Sequence, residues 1–213
     1  MYFQYGDKEI EYLRSKDKRL AEVIDKVGHI DRTVDTNLFS SVVHHIIGQQ
    51  ISTKAQQTIW LRMNEKYGHV TPEVIDSADA AELQSLGMTF RKAEYIKDFS
   101  HKVVSGEFSL DAVWHMSDEE AVEALSSLKG VGVWTAEMIL LFCMQRSDIL
   151  SFGDLAIQRG MRMAYHHRKI DKKLFEKYRR RLSPYGSTAS LYFWAVSGGA
   201  VEGMKDYAPK NKR

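Results

Sequence analysis

The chain is punctuated at helix-length intervals, and this pattern leaves little room for anything but helices. Ser52 precedes a run that Gly68 ends, Asp79 one that Gly87 ends, and Thr89 one that ends near Ser105-Gly106. Thr71-Pro72 opens another, and Ser117-Asp-Glu-Glu is a capping box for a helix that ends at Leu128. Oxygens at such places accept from first-turn N–H groups that have no intrahelical acceptor. Proline at a first helical position gives up no bond, and glycine can end a helix in a left-handed conformation. Between these marks apolar residues recur at helical period: Ile10, Leu13, Leu20, Val23, Ile24 and Val27 make one stripe. Leu38 to Ile51 reads as a short buried helix leading into Gly48-Gln49-Gln50. Further helices are expected from Val133 to about Gln145, near Asp154, near Asp171, and from about Ser187 to Gly203. Only Pro72, Pro184 and Pro209 interrupt, and no alternating stretch is long enough to be a strand. The fold class is all-α, with roughly ten short helices.

At 213 residues with 44% hydrophobic content, the chain can bury a sizeable core as one domain or one domain of two lobes. Its 27% charged and 11% aromatic residues exclude disorder as the default. No apolar run approaches the roughly 18 residues that span a membrane, and the start, Met-Tyr-Phe-Gln-Tyr-Gly-Asp, lacks the basic and apolar regions of a signal peptide. A single cysteine, Cys143, excludes internal disulfides, Cys-rich zinc sites and a four-cysteine cluster. The expected compartment is the cytoplasm, with the nucleoid, in a bacterium, or the nucleus in a eukaryote. Charge is uneven: residues 159–213 hold 14 Lys/Arg against 4 Asp/Glu, whereas residues 1–158 hold 16 against 24. A basic quarter on an acidic body fits a polyanion partner, and equally a solvated basic helix. His44-His45 and His166-His167 are adjacent pairs pointing to different helix sides, so no catalytic metal and no cofactor is expected.

The informative stretch is Leu125-Ser-Ser-Leu-Lys-Gly-Val-Gly-Val-Trp-Thr-Ala136. Its Gly130-x-Gly132 lacks the third glycine of a dinucleotide loop and follows a capped helix instead of a strand. Two helices around a glycine turn fit a helix–hairpin–helix, whose second helix directs N–H groups at a phosphate. An ordinary αα-corner uses the same glycines.

Ser151-Phe-Gly-Asp-Leu-Ala-Ile-Gln-Arg159 follows the hairpin. With it the chain, from about Phe39 to Trp194, resembles the helix–hairpin–helix (HhH-GPD) superfamily of DNA base-excision glycosylases. It is most similar to the 3-methyladenine DNA glycosylase II, or alkylbase glycosylase, branch. Ile46-Ile-Gly-Gln-Gln-Ile-Ser52, Gly132-Val-Trp-Thr-Ala136 and Pro184 to Trp194 carry the rest of the likeness. The resemblance implies two lobes, one of about 38–130 and one of about 131–213 joined by the N-terminal helix 7–27, with a DNA and base cleft between them. It implies a catalytic role for Asp154, which residue type alone would make an N-cap. Trp134 stands where the bifunctional branch has its Schiff-base lysine, so the implied enzyme is monofunctional. Trp134, Trp194 and Met138 are implied walls of a base pocket; Met138 replaces a tyrosine known in the branch. Trp60 and Trp114 read as core.

By the same resemblance Gln50, with Gln49, is the wedge entering the minor groove where a nucleotide leaves the stack. A polar residue on an exposed turn is the plain alternative. Gly130, Gly132, Val133 and Thr135, and Ser52 with Thr53, are implied phosphate contacts; Ser52 and Thr53 can equally just cap their helix. The carbonyls of Ser126, Leu128 and Val131 are an implied holder of a monovalent cation. The expected partner is double-stranded DNA with alkylated bases, bound by a monomer. The competing reading is a non-catalytic helix–hairpin–helix DNA-binding or damage-sensing module, which has no need of Asp154.

Overall fold

Side-chain caps begin most of the helices. The computed structural model describes residues 1–209, and among them it is all-α, with one isolated antiparallel bridge between Tyr2 and Thr33. Thirteen helices run in order: α1 (Asp7–Lys16), α2 (Lys18–Val27), α3 (Leu38–Gly48), α4 (Thr53–Tyr67), α5 (Pro72–Ser77), α6 (Ala80–Ser85), α7 (Phe90–Val104), α8 (Leu110–His115), α9 (Asp118–Ser126), α10 (Val133–Phe142), α11 (Leu155–Tyr165), α12 (Lys172–Leu182) and α13 (Gly186–Ser197).

Two features raise the number above the expected ten. The stripe from Ile10 to Val27 is two helices, because Asp17 leaves the helical conformation and its Oδ1 accepts the Arg19 and Leu20 N–H groups, starting α2. A six-residue helix capped by Ser109, α8, fills a stretch with no legible periodicity. Only Val113 of α8 is buried, so Trp114, expected in the core, is 37% exposed. Trp60 is half-buried and meets His44 edge-on at 5.2 Å.

The chain divides into two compact units. One is Asp35–Met144, holding α3 to α10. In it α7 packs on α3, α5 and α6, and α10 packs on α9 and α3, around Ile46, Ile47, Met63, Ile96, Phe99 and Leu125. The boundary lies at 144/145, past the expected 130/131. The hairpin turn is too short to separate α10 from α9, and α10 also buries Ala136, Ile139, Leu140 and Leu141 here. His44 and His45 are occupied locally. Gln56 Nε2 lies 3.3 Å from the Nδ1 of His44, His45 Nδ1 lies 2.8 Å from the Ser41 carbonyl, and burial lowers the pKa of both rings.

The other unit joins Met1–Val34 to the chain from Gln145 onward. Leu13, Leu20, Ile157, Met161, Phe175, Leu182 and Phe193 form its core. Asp17, almost wholly buried, also receives the Tyr165 hydroxyl (3.1 Å) and Arg181 Nη1 (2.9 Å) on Oδ2, which ties α2 to α11 and α12. Burial pushes the Tyr165 hydroxyl far above its ordinary pKa, so it donates as a neutral group. Helices α11 and α13 approach so closely that a side chain on Gly160 would lie 2.1 Å from the Phe193 carbonyl oxygen.

Candidate functional site

In the unit of residues 35–144, the hairpin between α9 and α10 has the geometry its glycines require. Gly130 has φ +82°, and a Cβ there would lie 2.4 Å from the Tyr95 ring. Gly132 is extended and open, and as N-cap of α10 it offers no side-chain acceptor to the first-turn N–H groups. Such a terminus, with its dipole, suits an anion. Its exposed edge is Gly132, Val133 (58%) and Trp134 (46%). Thr135, expected among the phosphate contacts, is only 6% exposed, because its position turns toward the core. Met138, one turn beyond Trp134, is 3% exposed and is packed among the core residues of α10. The Leu128 carbonyl accepts the Val131 N–H at 3.1 Å. Lys129 Nζ donates to Asp98 Oδ1 at 2.6 Å, and this bond raises the lysine's pKa.

The Gly48-Gln49-Gln50 segment sits against this hairpin. A side chain on Gly48 would overlap the Gln56 amide. Gln49 Nε2 donates to the Gly130 carbonyl at 2.6 Å. Gln49 is therefore committed to the hairpin rather than presented beside Gln50, as the sequence led us to expect. Gln50 is exposed and left-handed, with φ 59°, a conformation that L residues with a long side chain rarely adopt. Ser52 and Thr53 are exposed, and Ser52 Oγ accepts the Ala55 N–H at 3.2 Å, so its capping role is realised. Lys92 and Tyr95 were not legible as site residues: in the sequence they are ordinary positions of a Thr89-capped helix. Yet Lys92 Nζ donates to the carbonyls of Ile47 (2.9 Å) and Gln49 (2.5 Å).

The two glycines make separable predictions. Gly130→Ala should destabilise the fold, since both its φ and Tyr95 oppose a side chain. Gly132→Ala meets nothing in the free protein. If the hairpin holds DNA phosphates, as the sequence leads us to expect, the change should alter thermal stability little and weaken damaged and undamaged duplexes alike, with DNA binding that falls steeply with salt. Binding isotherms at several salt concentrations check this; a loss confined to damaged DNA would place Gly132 against the base instead.

In the other unit Asp154 is the N-cap of α11 and is 6% exposed. Its Oδ1 accepts the Ala156 and Ile157 N–H groups, both at 2.8 Å. Gln158 Nε2 donates to the Phe152 carbonyl at 2.6 Å, closing the turn that precedes the cap. The neighbours Gly153 and Leu155 are exposed, Leu155 at 78%. The carboxylate is thus fixed at the positive end of a helix beside an open stretch of chain. Trp194 on α13 is half-buried against the core of the same unit. Part of the basic C-terminal charge is neutralised within the unit. Arg162 holds Asp206 with bonds of 2.8 and 2.7 Å, Arg159 lies 3.8 Å from the same carboxylate, and Arg181 is on Asp17. Lys210, Lys212 and Arg213, counted in that charge, lie outside the described residues.

Comparison with known proteins finds the family model of HhH-GPD superfamily base excision DNA repair proteins matching residues 43–184, a span that includes Gln50, the hairpin and Asp154. DNA-3-methyladenine glycosylase 1 of Schizosaccharomyces pombe is 29% identical over 164 residues, which cover 75% of this chain and 72% of that protein. DNA-3-methyladenine glycosylase 2 of Escherichia coli is 26% identical over 174 residues, covering 75% and 58%. Among solved structures, the DNA-3-methyladenine glycosidase of Bacillus halodurans matches with TM-score 0.82 and 32% identity over 93% of both chains. The 3-methyladenine DNA glycosylase of S. pombe in complex with abasic DNA matches with TM-score 0.78 and 26% identity, over 95% of this chain and 100% of that one.

Proposed function

Because this chain belongs to the HhH-GPD superfamily of base excision DNA repair proteins, we propose that it is a monofunctional DNA glycosylase for alkylated purines. It binds duplex DNA as a monomer, extrudes the damaged nucleotide, hydrolyses its N-glycosidic bond and leaves an abasic site. The observation that carries this reading is Asp154: a buried carboxylate, held by two backbone N–H groups, in the matched span beyond the hairpin. The printed names of the relatives, 3-methyladenine glycosylases, support the substrate class.

The chemistry follows from charge. As the bond between base and C1′ lengthens, positive charge grows on the deoxyribose. A fixed carboxylate stabilises that charge without reorganising. Water adds to C1′, its proton passes to solvent or to the carboxylate, and the base departs with the bonding electrons. A purine alkylated at N3 or N7 is cationic before it leaves and becomes neutral as it goes, so little acid catalysis is required. A cation over an indole face gains about 0.5–2 kcal/mol, and the family likeness makes Trp134 and Trp194 each a candidate for such a contact. Gly132 and Val133 grip a phosphate, Ser52 and Thr53 a second, and Gln50 fills the vacated stack. A monovalent cation held by the carbonyls of Ser126, Leu128 and Val131, of which Leu128 also accepts the Val131 N–H, would add positive charge beside the hairpin phosphate.

Trp134 cannot form a Schiff base, and Lys129 is held as an ammonium by Asp98. DNA carrying one 7-methylguanine should therefore give abasic strands that break only on alkali treatment, and borohydride should trap no covalent adduct. A trapped lysine adduct would overturn the monofunctional assignment.

Gln50 and Trp134 should separate extrusion from pocket chemistry. Gln50→Ala should lose most rate where the target is well paired, as for 7-methylguanine opposite cytosine, and least in single-stranded DNA, where the unstacking cost of a few kcal/mol is small. Trp134→Ala should lose rate in both. Single-turnover base release measures this, and equal losses for Gln50→Ala in both contexts would leave Gln50 an ordinary turn residue.

A further inference from the structure

The Gln50 turn and the glycine hairpin are built on one face of one helix. Lys92, Tyr95 and Asp98 recur at three-residue intervals along α7, which stacks them on a single face. Each meets a different part of the two loops. Lys92 Nζ donates to the Ile47 and Gln49 carbonyls, Tyr95 occupies the space a Gly130 side chain would need, and Asp98 receives Lys129. Gln49 closes the ring through its bond to the Gly130 carbonyl. The Gln49 carbonyl belongs to the peptide unit that leads into left-handed Gln50, so Lys92 fixes the plane from which that residue departs. An ammonium at this place also satisfies carbonyls left over at the end of α3 and complements that helix's dipole.

We propose that Lys92 is a positioning residue for base extrusion: it holds the Gln49–Gln50 peptide so that Gln50 stands as the wedge, and the Gln49 amide couples that turn to the hairpin. The phosphate-binding and wedge-bearing loops then meet DNA as one body. This rests on the reading of the chain as a base-extruding glycosylase, with Gln50 as the wedge. Lys92 itself touches neither base nor sugar in this account.

Two readouts test it in the full chain. The first is amide hydrogen exchange without DNA. Lys92→Met should speed exchange through residues 48–52. Gln49→Leu should do so there and also at residues 130–132, because it alone cuts the link to the hairpin. The second is single-turnover base release. Lys92→Met should slow release of 7-methylguanine opposite cytosine by about tenfold or more, but by only about threefold in single-stranded DNA. Lys92→Arg, which keeps charge and donors, should stay nearer to wild type in both readouts. Unchanged exchange at 48–52, or equal loss on paired and unpaired substrates, would overturn the proposal. Failure of the glycosylase reading looks different: wild type would release no base, while the exchange pattern still reports whether the two loops are coupled.

Discussion

Asp154→Asn is expected to slow single-turnover base release by about 10²–10³-fold, the scale of losing a preorganised charge at a developing ion, with the fold and DNA affinity retained. Asparagine caps a helix about as well as aspartate, and its carbonyl oxygen can accept the same Ala156 and Ile157 N–H groups. The substitution therefore removes the charge and spares the cap. Asp154→Ala removes both, and should cost roughly 1 kcal/mol of stability in addition. DNA affinity of the Asn variant should be equal or higher, since one negative charge is lost near phosphates. Activity within a few-fold of wild type would show that Asp154 is only a cap, and the damage-sensing alternative would then gain ground.

Gly160→Ala should strongly lower the stability of the fold. The new Cβ would sit 2.1 Å from the Phe193 carbonyl oxygen, 2.7 Å from its carbonyl carbon and 2.9 Å from its Cα. These are backbone atoms of α13, so no rotamer change relieves the overlap and the helices must separate. Overpacking of this kind costs typically about 1–3 kcal/mol, which at roughly 2–4 °C per kcal/mol for a chain of this size lowers the melting temperature by several degrees. Asp154 caps helix α11 and α13 carries Trp194 beside Phe193, so the same separation displaces two proposed site residues within one unit. Calorimetry and base release should fall together. An unchanged melting temperature would mean that α11 and α13 are not packed as described.

What could be read from sequence depended on whether the signal was local. Caps are local, and Ser52, Thr71, Thr89, Ser117, Asp154 and Asp171 all begin helices. The break at Asp17 was missed because apolar spacing runs on through it; the break comes from a buried carboxylate that also serves α11 and α12. Gly160 has no local signature in the sequence, and only the approach of Phe193 explains it. The candidate site divides in the same way. Gly130 was legible because a left-handed turn requires glycine. Gln49 and Gln50, neighbours of one residue type, are placed differently: Gln49 reaches the Gly130 carbonyl, while Gln50 is exposed. Lys92 had no signal at all, since its partners are carbonyls 43 and 45 residues away in sequence.

The most direct measurement is the identity of the bases that wild-type protein frees from randomly methylated duplex DNA, by mass spectrometry of the released fraction at neutral pH. The account predicts 3-methyladenine and 7-methylguanine above the spontaneous background, one abasic site for each base released, and release slowed about 10²–10³-fold with Asp154→Asn. Tight binding to the same DNA with no base released above background would contradict it.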